Sequence, residues 1–217
     1  DTMWFMHINK TAGSAVREWF NLNGYKLLGP AGVHAPTSDA EFDSPIRRFY
    51  FTIVRNPYDR VASHFFMWRD NHKYFRSEVT LDRYVKALHE SRTNPLFFNR
   101  RGRFYDLRKE APILDLMRHV TDLRVPKLQR RLLNPCSAWI TTPKSQDNLA
   151  IFKCEELDKL ENFFTKRLPF TIPLKDVRVE LTETKRLSSY KHLYSKESIG
   201  FIQEVYADDF RNLRYDH

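Results

Sequence analysis

The sequence predicts an α/β fold, a parallel sheet with helices on its faces, and three observations lead there. Two short apolar runs, one aromatic and one rich in aromatic and β-branched residues, are each followed by turn residues and then by an apolar stripe at helical spacing. A third run with the same sequel begins near Leu149. At 217 residues and 41% hydrophobic content, the chain can bury one substantial core. A single domain over residues 1–217 is the expectation.

The first run is Met3-Trp4-Phe5-Met6-His7-Ile8, read as a strand. Asn9 to Ser14 supply a loop, and Ala15, Val16, Trp19 and Phe20 mark the helix that follows. The second run, Phe49-Tyr50-Phe51-Thr52-Ile53-Val54, is punctuated by Asn56-Pro57. Asn56 suits an N-cap and Pro57 the first helical position. From there Val61, Ala62, Phe65, Phe66 and Trp68 form a stripe on a helix reaching about Arg69. The middle of the chain reads as mostly helical, with helices near Leu81 to Glu90 and Val125 to Leu133. Between these two, Arg100, Arg101, Arg103, Arg108 and Lys109 are interleaved with Phe104 and Tyr105. Contact with an anionic acceptor and a solvated loop fit that stretch equally well. Leu149 to Cys154 read as another strand, then a helix carrying Leu157, Leu160, Phe163 and Phe164, and a last helix carrying Ile199, Ile202, Val205 and Tyr206.

The formal net charge of +9 favours anionic partners such as nucleotides, sulfated sugars, nucleic acid or lipid head groups. No apolar run approaches the roughly 20 residues that span a bilayer, so no membrane span is expected. The chain starts at Asp1, almost directly before its first apolar run, and a leader or membrane anchor ahead of it stays open. Cys136 and Cys154 are too few for a disulfide scaffold and lack zinc-ligand spacing. Two reduced thiols are expected, with one disulfide as the alternative. The sole glycosylation match, Asn9-Lys10-Thr11, falls inside a loop suited to phosphate, where a glycan would block it. This favours a cytoplasmic location, or the Golgi lumen if an anchor has been removed.

Two segments carry chemistry. In His7-Ile8-Asn9-Lys10-Thr11-Ala12-Gly13-Ser14 the loop ends at a helix N-terminus, whose backbone N–H groups and dipole attract anions. Gly13 permits close backbone approach, Thr11 and Ser14 offer hydroxyls, and Lys10 brings a mobile point charge. The usual nucleotide P-loop needs Gly-Lys-[Ser/Thr] in that order, whereas here the lysine precedes its glycine by three residues. In the second segment, Val54 to Phe65, Arg55 stands where a strand ends and Ser63 two turns into the next helix. Strand ends of open parallel sheets face ligand, and a guanidinium and a hydroxyl there suit one phosphate. A nucleoside triphosphatase would place an acidic magnesium ligand at such a strand end.

Together these segments resemble the PAPS-dependent sulfotransferases, whose donor is 3′-phosphoadenosine 5′-phosphosulfate (PAPS), and most closely the branch with the carbohydrate 2-O-sulfotransferases. The family's first segment, close to P-K-T-[GA]-[GS]-[ST], matches Asn9 to Ser14, with Asn9 in place of a common proline and Ala12 in place of a common glycine. Its second, R-[ND]-P-x-x-R-x-x-S, is matched without departure from Arg55 to Ser63. The resemblance implies a three-layer, P-loop-like fold and transfer of a sulfuryl group to an acceptor hydroxyl. It implies that Lys10, Thr11, Ala12, Gly13 and Ser14 bind the 5′-phosphosulfate and that Arg55 and Ser63 hold the 3′-phosphate. The departing nucleotide is 3′-phosphoadenosine 5′-phosphate, and no metal is required. Tyr190, Tyr206, Asp209-Phe210 and Leu213-Arg214-Tyr215 echo the family's terminal helix, and Thr184, Lys185 and Arg186 are candidates for the loop that closes over the nucleotide. A solvated basic turn accounts for those three equally well.

By the same resemblance Lys10 neutralises charge on the bridging oxygen, or else serves as a passive phosphate binder. His34 stands where the 2-O-sulfotransferases place their base, with Asp39 or Glu41 as the carboxylate alternative. The acceptor implied is a saccharide, neutral or already acidic, although other alcohols fit the same nucleotide motifs. Two other classes compete. A P-loop-like kinase would need magnesium ligands that the Arg55 segment lacks, and a basic nucleic-acid-binding module would rest on charge alone.

Overall fold

In the computed structural model, residues 2–29, 42–43, 45–71, 77–93, 135–140, 149–177 and 190–216 are described. His34, Asp39 and Glu41, the basic stretch from Arg100 to Lys109, the helix expected at Val125 to Leu133, and Thr184, Lys185 and Arg186 lie outside them. The chain forms two compact units, Asp1–Asn56 with Cys136–Leu181, and Pro57–Pro135 with Thr182–His217.

The first unit is α/β. Strands β1 (Thr2–Met6), β2 (Arg48–Val54) and β3 (Leu149–Lys153) form a parallel sheet in that order. Phe5 lies opposite Phe51, and Val54 opposite Lys153. Side chains alternate between sheet faces, so Met3, Phe5, Phe51 and Ile53 share one. That face packs with Val16, Trp19 and Phe20 of helix α1 (Gly13–Leu22) and with Leu160 and Phe164 of a helix at Leu157–Thr165. The core is aromatic, with ring centroids 4.8 Å apart for Phe5 and Phe51, 4.9 Å for Phe20 and Phe164, and 5.0 Å for Phe51 and Phe164. Helix α1 ends at Asn23, followed by Gly24 at φ 80°, a left-handed residue of the kind that ends helices. The Asn23 amide then ties this end to the core: it donates to the Trp19 and Ile172 carbonyls and accepts from the Thr171 and Ile172 N–H groups.

Cys136 is buried and Cys154 half-buried, and no disulfide joins them. No described helix is long and apolar enough to cross a membrane.

The second unit is helical where described. Helix α2 (Pro57–Phe66) starts at the proline, as its fixed φ favours, and every one of its residues is buried. It passes into a π-helical turn, Met67–Asn71, where the stripe alone predicts continuous α-helix to about Arg69. Helix α3 (Leu81–Thr93) is capped by Thr80, whose hydroxyl accepts the Arg83 N–H at 3.2 Å. Numbering the Leu157–Thr165 helix α4, the chain closes with α5 (Lys196–Val205) and α6 (Ala207–Asn212). His64, fully buried in α2, pairs through Nδ1 with the Tyr84 hydroxyl at 2.9 Å. Burial, reinforced by Tyr206 and Tyr194 and opposed by Arg60, pushes the Tyr84 phenol well above its ordinary pKa, so it keeps its proton.

Asp82 joins α3 to α5. Its Oδ1 accepts from the Ser195 N–H at 3.0 Å and the Ser195 hydroxyl at 2.9 Å, while the Ser195 oxygen caps Ser198 N–H at 3.2 Å. Burial pushes the Asp82 carboxyl up, but hydrogen bonds from Ser198 and Ser195 outweigh it and hold the pKa below its ordinary value. The folded-state pKa therefore lies under the unfolded one. The resulting stabilisation is complete above about pH 4 and is lost as pH falls through the folded value. Urea midpoints measured between pH 5 and pH 2 are expected to fall more steeply for the wild type than for Asp82→Asn. Equal slopes would refute the assignment.

Candidate active site

In a parallel sheet all strand carboxyl ends face one edge, and loops leaving neighbouring strands meet there. The residues that follow β1, β2 and β3 are respectively the Asn9–Ser14 loop, Arg55, and Cys154-Glu155. The edge is well fixed: Thr52 in β2 donates its hydroxyl to the carbonyl of Met6, the last residue of β1, at 2.7 Å.

The loop after β1 is sharply turned. Lys10 has φ 64° and Ala12 φ 67°, both in the left-handed region that residues other than glycine rarely adopt. Thr11 between them is fully buried, and its hydroxyl donates to the Ile8 carbonyl at 2.9 Å. The hydroxyl therefore fastens the loop to the strand end, where the sequence suggests an anion donor. Successive turned residues point their N–H groups inward and form an anion-binding concavity. Ala12 is the N-cap of α1 and supplies no side-chain acceptor, and the first turn of α1 holds no acidic residue. The first bond of that helix runs from Val16 N–H to Ala12 carbonyl, so the preceding N–H groups have no intrahelical acceptor. Ser14 is exposed beside them.

Gly13 is buried against the imidazole of His7. A Cβ built on Gly13 would overlap Cδ2 and Nε2 of that ring. His7 is itself buried and stacks on Phe5 with centroids 5.4 Å apart. The sequence reads His7 as part of the first strand and carries no sign that its ring is what Gly13 makes room for.

Left-handed Ala12 is strained, and glycine would relieve it. Ala12→Gly is expected to raise stability by about 1 kcal/mol, read as a shift in denaturation midpoint. An unchanged or lowered midpoint would count against the loop geometry.

Arg55 reaches this loop. Its Nη1 donates to the Lys10 carbonyl at 3.4 Å, so the guanidinium from the second motif stands beside the cradle from the first. On the other side of β2, the Asn56 N–H donates to Glu155 Oε1 at 2.8 Å. Glu155 is not singled out by the sequence, and its position two residues past a strand end is the one signal that points to it. Ser63 is buried in α2, in the second unit. Among the described residues no group of three or more His, Cys, Asp or Glu is placed to hold a metal.

This edge therefore offers helix N–H groups that have no intrahelical acceptor, a lysine and an arginine, a donor set suited to an anion with several oxygens. Comparison with models of protein families, with curated proteins and with solved structures finds no match, so the functional reading rests on this geometry and on the two motifs.

Proposed function

We propose that the chain is a sulfotransferase with a P-loop-like fold that moves the sulfuryl group of PAPS to the hydroxyl of an acceptor, a saccharide fitting best. The observation that carries this reading is the meeting of the Lys10–Ser14 cradle with Arg55 at the carboxyl edge of adjacent parallel strands. The motifs arrive there from separate parts of the sequence, and an anion with two phosphate groups needs both.

In this reading the N–H groups from Thr11 to Ser14 and the Ser14 hydroxyl hold the 5′-phosphosulfate. By the family resemblance, Arg55 and Ser63 are assigned to the 3′-phosphate and Lys185 and Arg186 to the nucleotide. Sulfuryl transfer asks the protein for in-line placement and for stabilisation of the leaving oxygen. The acceptor oxygen forms a bond to sulfur as the bond from sulfur to the bridging phosphate oxygen breaks. The electron pair leaves with 3′-phosphoadenosine 5′-phosphate, where Lys10 meets the new charge. The acceptor proton passes to a base, for which His34 is proposed.

The test is transfer of radiolabelled sulfate from PAPS to a panel of neutral and acidic saccharides, with His34→Ala as a control. Labelled product from at least one saccharide, strongly reduced in the variant, is the expected result. Absence of transfer to every saccharide, together with transfer to a non-carbohydrate alcohol, would remove the saccharide from the proposal.

A further inference from the structure

The exit of β2 is held from both sides, and the two anchors are of different kinds. Val54 and Lys153 are the last paired residues of β2 and β3. Beyond Lys153 the chain turns into a 3₁₀ segment, Cys154–Glu156, so β3 offers no further backbone ladder to β2. Asn56 is two residues past Val54, Glu155 two past Lys153, and the Glu155 carboxylate accepts the Asn56 N–H at 2.8 Å. A side chain thus extends the ladder by one rung where the backbone has turned away. On the opposite flank Arg55 donates to the Lys10 carbonyl.

We infer that Glu155 is a positioning residue for Arg55. By fixing the peptide that follows Arg55, it keeps the guanidinium at the cradle and spares the bound anion the cost of ordering that turn. The inference rests on the proposed nucleotide site. A charge-assisted bond to one backbone N–H orients more than it stabilises, because Glu155 is exposed and water can replace it when it is removed.

Calorimetric titration with 3′-phosphoadenosine 5′-phosphate and with adenosine 5′-phosphate tests it on the wild type, Glu155→Ala, Glu155→Gln, Arg55→Ala and the Glu155→Ala/Arg55→Ala double variant. Glu155→Ala is expected to weaken binding of the 3′-phosphorylated nucleotide about tenfold, with adenosine 5′-phosphate unaffected. Glu155→Gln retains an acceptor and is expected to stay within about threefold of wild type. The double variant is expected to match Arg55→Ala alone, because Glu155 acts through Arg55. Exchange of the Asn56 amide proton, followed by NMR without nucleotide, is expected to accelerate in Glu155→Ala and not in Glu155→Gln. Wild-type binding that depends on the 3′-phosphate but is unchanged in Glu155→Ala, or additive losses in the double variant, would overturn the inference alone. A wild type indifferent to the 3′-phosphate would overturn the nucleotide reading and this inference with it.

Discussion

Lys10→Ala is expected to lower kcat for sulfuryl transfer by about 10²- to 10³-fold while weakening nucleotide binding far less. Lys10 sits in a left-handed turn directly ahead of the α1 N-terminus, and its carbonyl is tied to Arg55, so its backbone is held on both sides. Charge on the bridging oxygen grows only as the bond to sulfur breaks. A cation held there stabilises the transition state more than the bound donor, which is why the loss falls on turnover. A variant with unchanged kcat and a large loss of affinity would reduce Lys10 to a phosphate binder.

Gly13→Ala is expected to have the largest structural consequence of any single methyl group added to the loop. The new Cβ would occupy the space of the His7 imidazole, and that ring is buried and stacked on Phe5. Either the ring or the start of α1 must move. Overpacking of this kind costs about 1–3 kcal/mol. A displacement near 1 Å of the cradle N–H groups would cost about 10²-fold in transfer. The cause is testable by double-mutant cycle, because His7→Ala in the Gly13→Ala background removes the clash and is expected to restore part of both stability and binding. A Gly13→Ala protein with wild-type denaturation midpoint and nucleotide affinity would contradict the packing.

The elements of the fold were legible where hydrophobic periodicity was strong. Met3 and Phe5 alternate with the opposite face, Val16, Trp19 and Phe20 mark one side of α1, and Pro57 announces the start of α2. The π-helical turn after Phe66 was not legible, since an apolar stripe has no mark for a register change of one residue. The strand–loop–helix that carries Lys10, Thr11 and Gly13 was legible because an apolar run precedes these residues and a helical stripe follows them.

Its internal contacts were not legible in the same way. That Thr11 bonds back to Ile8 depends on the turn of its own loop, whereas the reach of Arg55 to the Lys10 carbonyl and of Glu155 to the Asn56 N–H depends on how neighbouring strands end. Strand register brings residues 10, 55 and 155 to one edge, and no spacing within a single segment carries that information. Asn23 is a similar case: it stands at the end of α1, and its amide is engaged with residues 171 and 172, far away in the sequence.

The central claim is a nucleotide site that requires the 3′-phosphate and is built by Arg55 beside the Lys10 cradle. Calorimetric comparison of 3′-phosphoadenosine 5′-phosphate with adenosine 5′-phosphate, on the wild type and on Arg55→Ala, tests it most directly. The account predicts that the wild type prefers the 3′-phosphorylated nucleotide by about tenfold or more and that Arg55→Ala loses the preference. Equal affinity of the wild type for both nucleotides would contradict it.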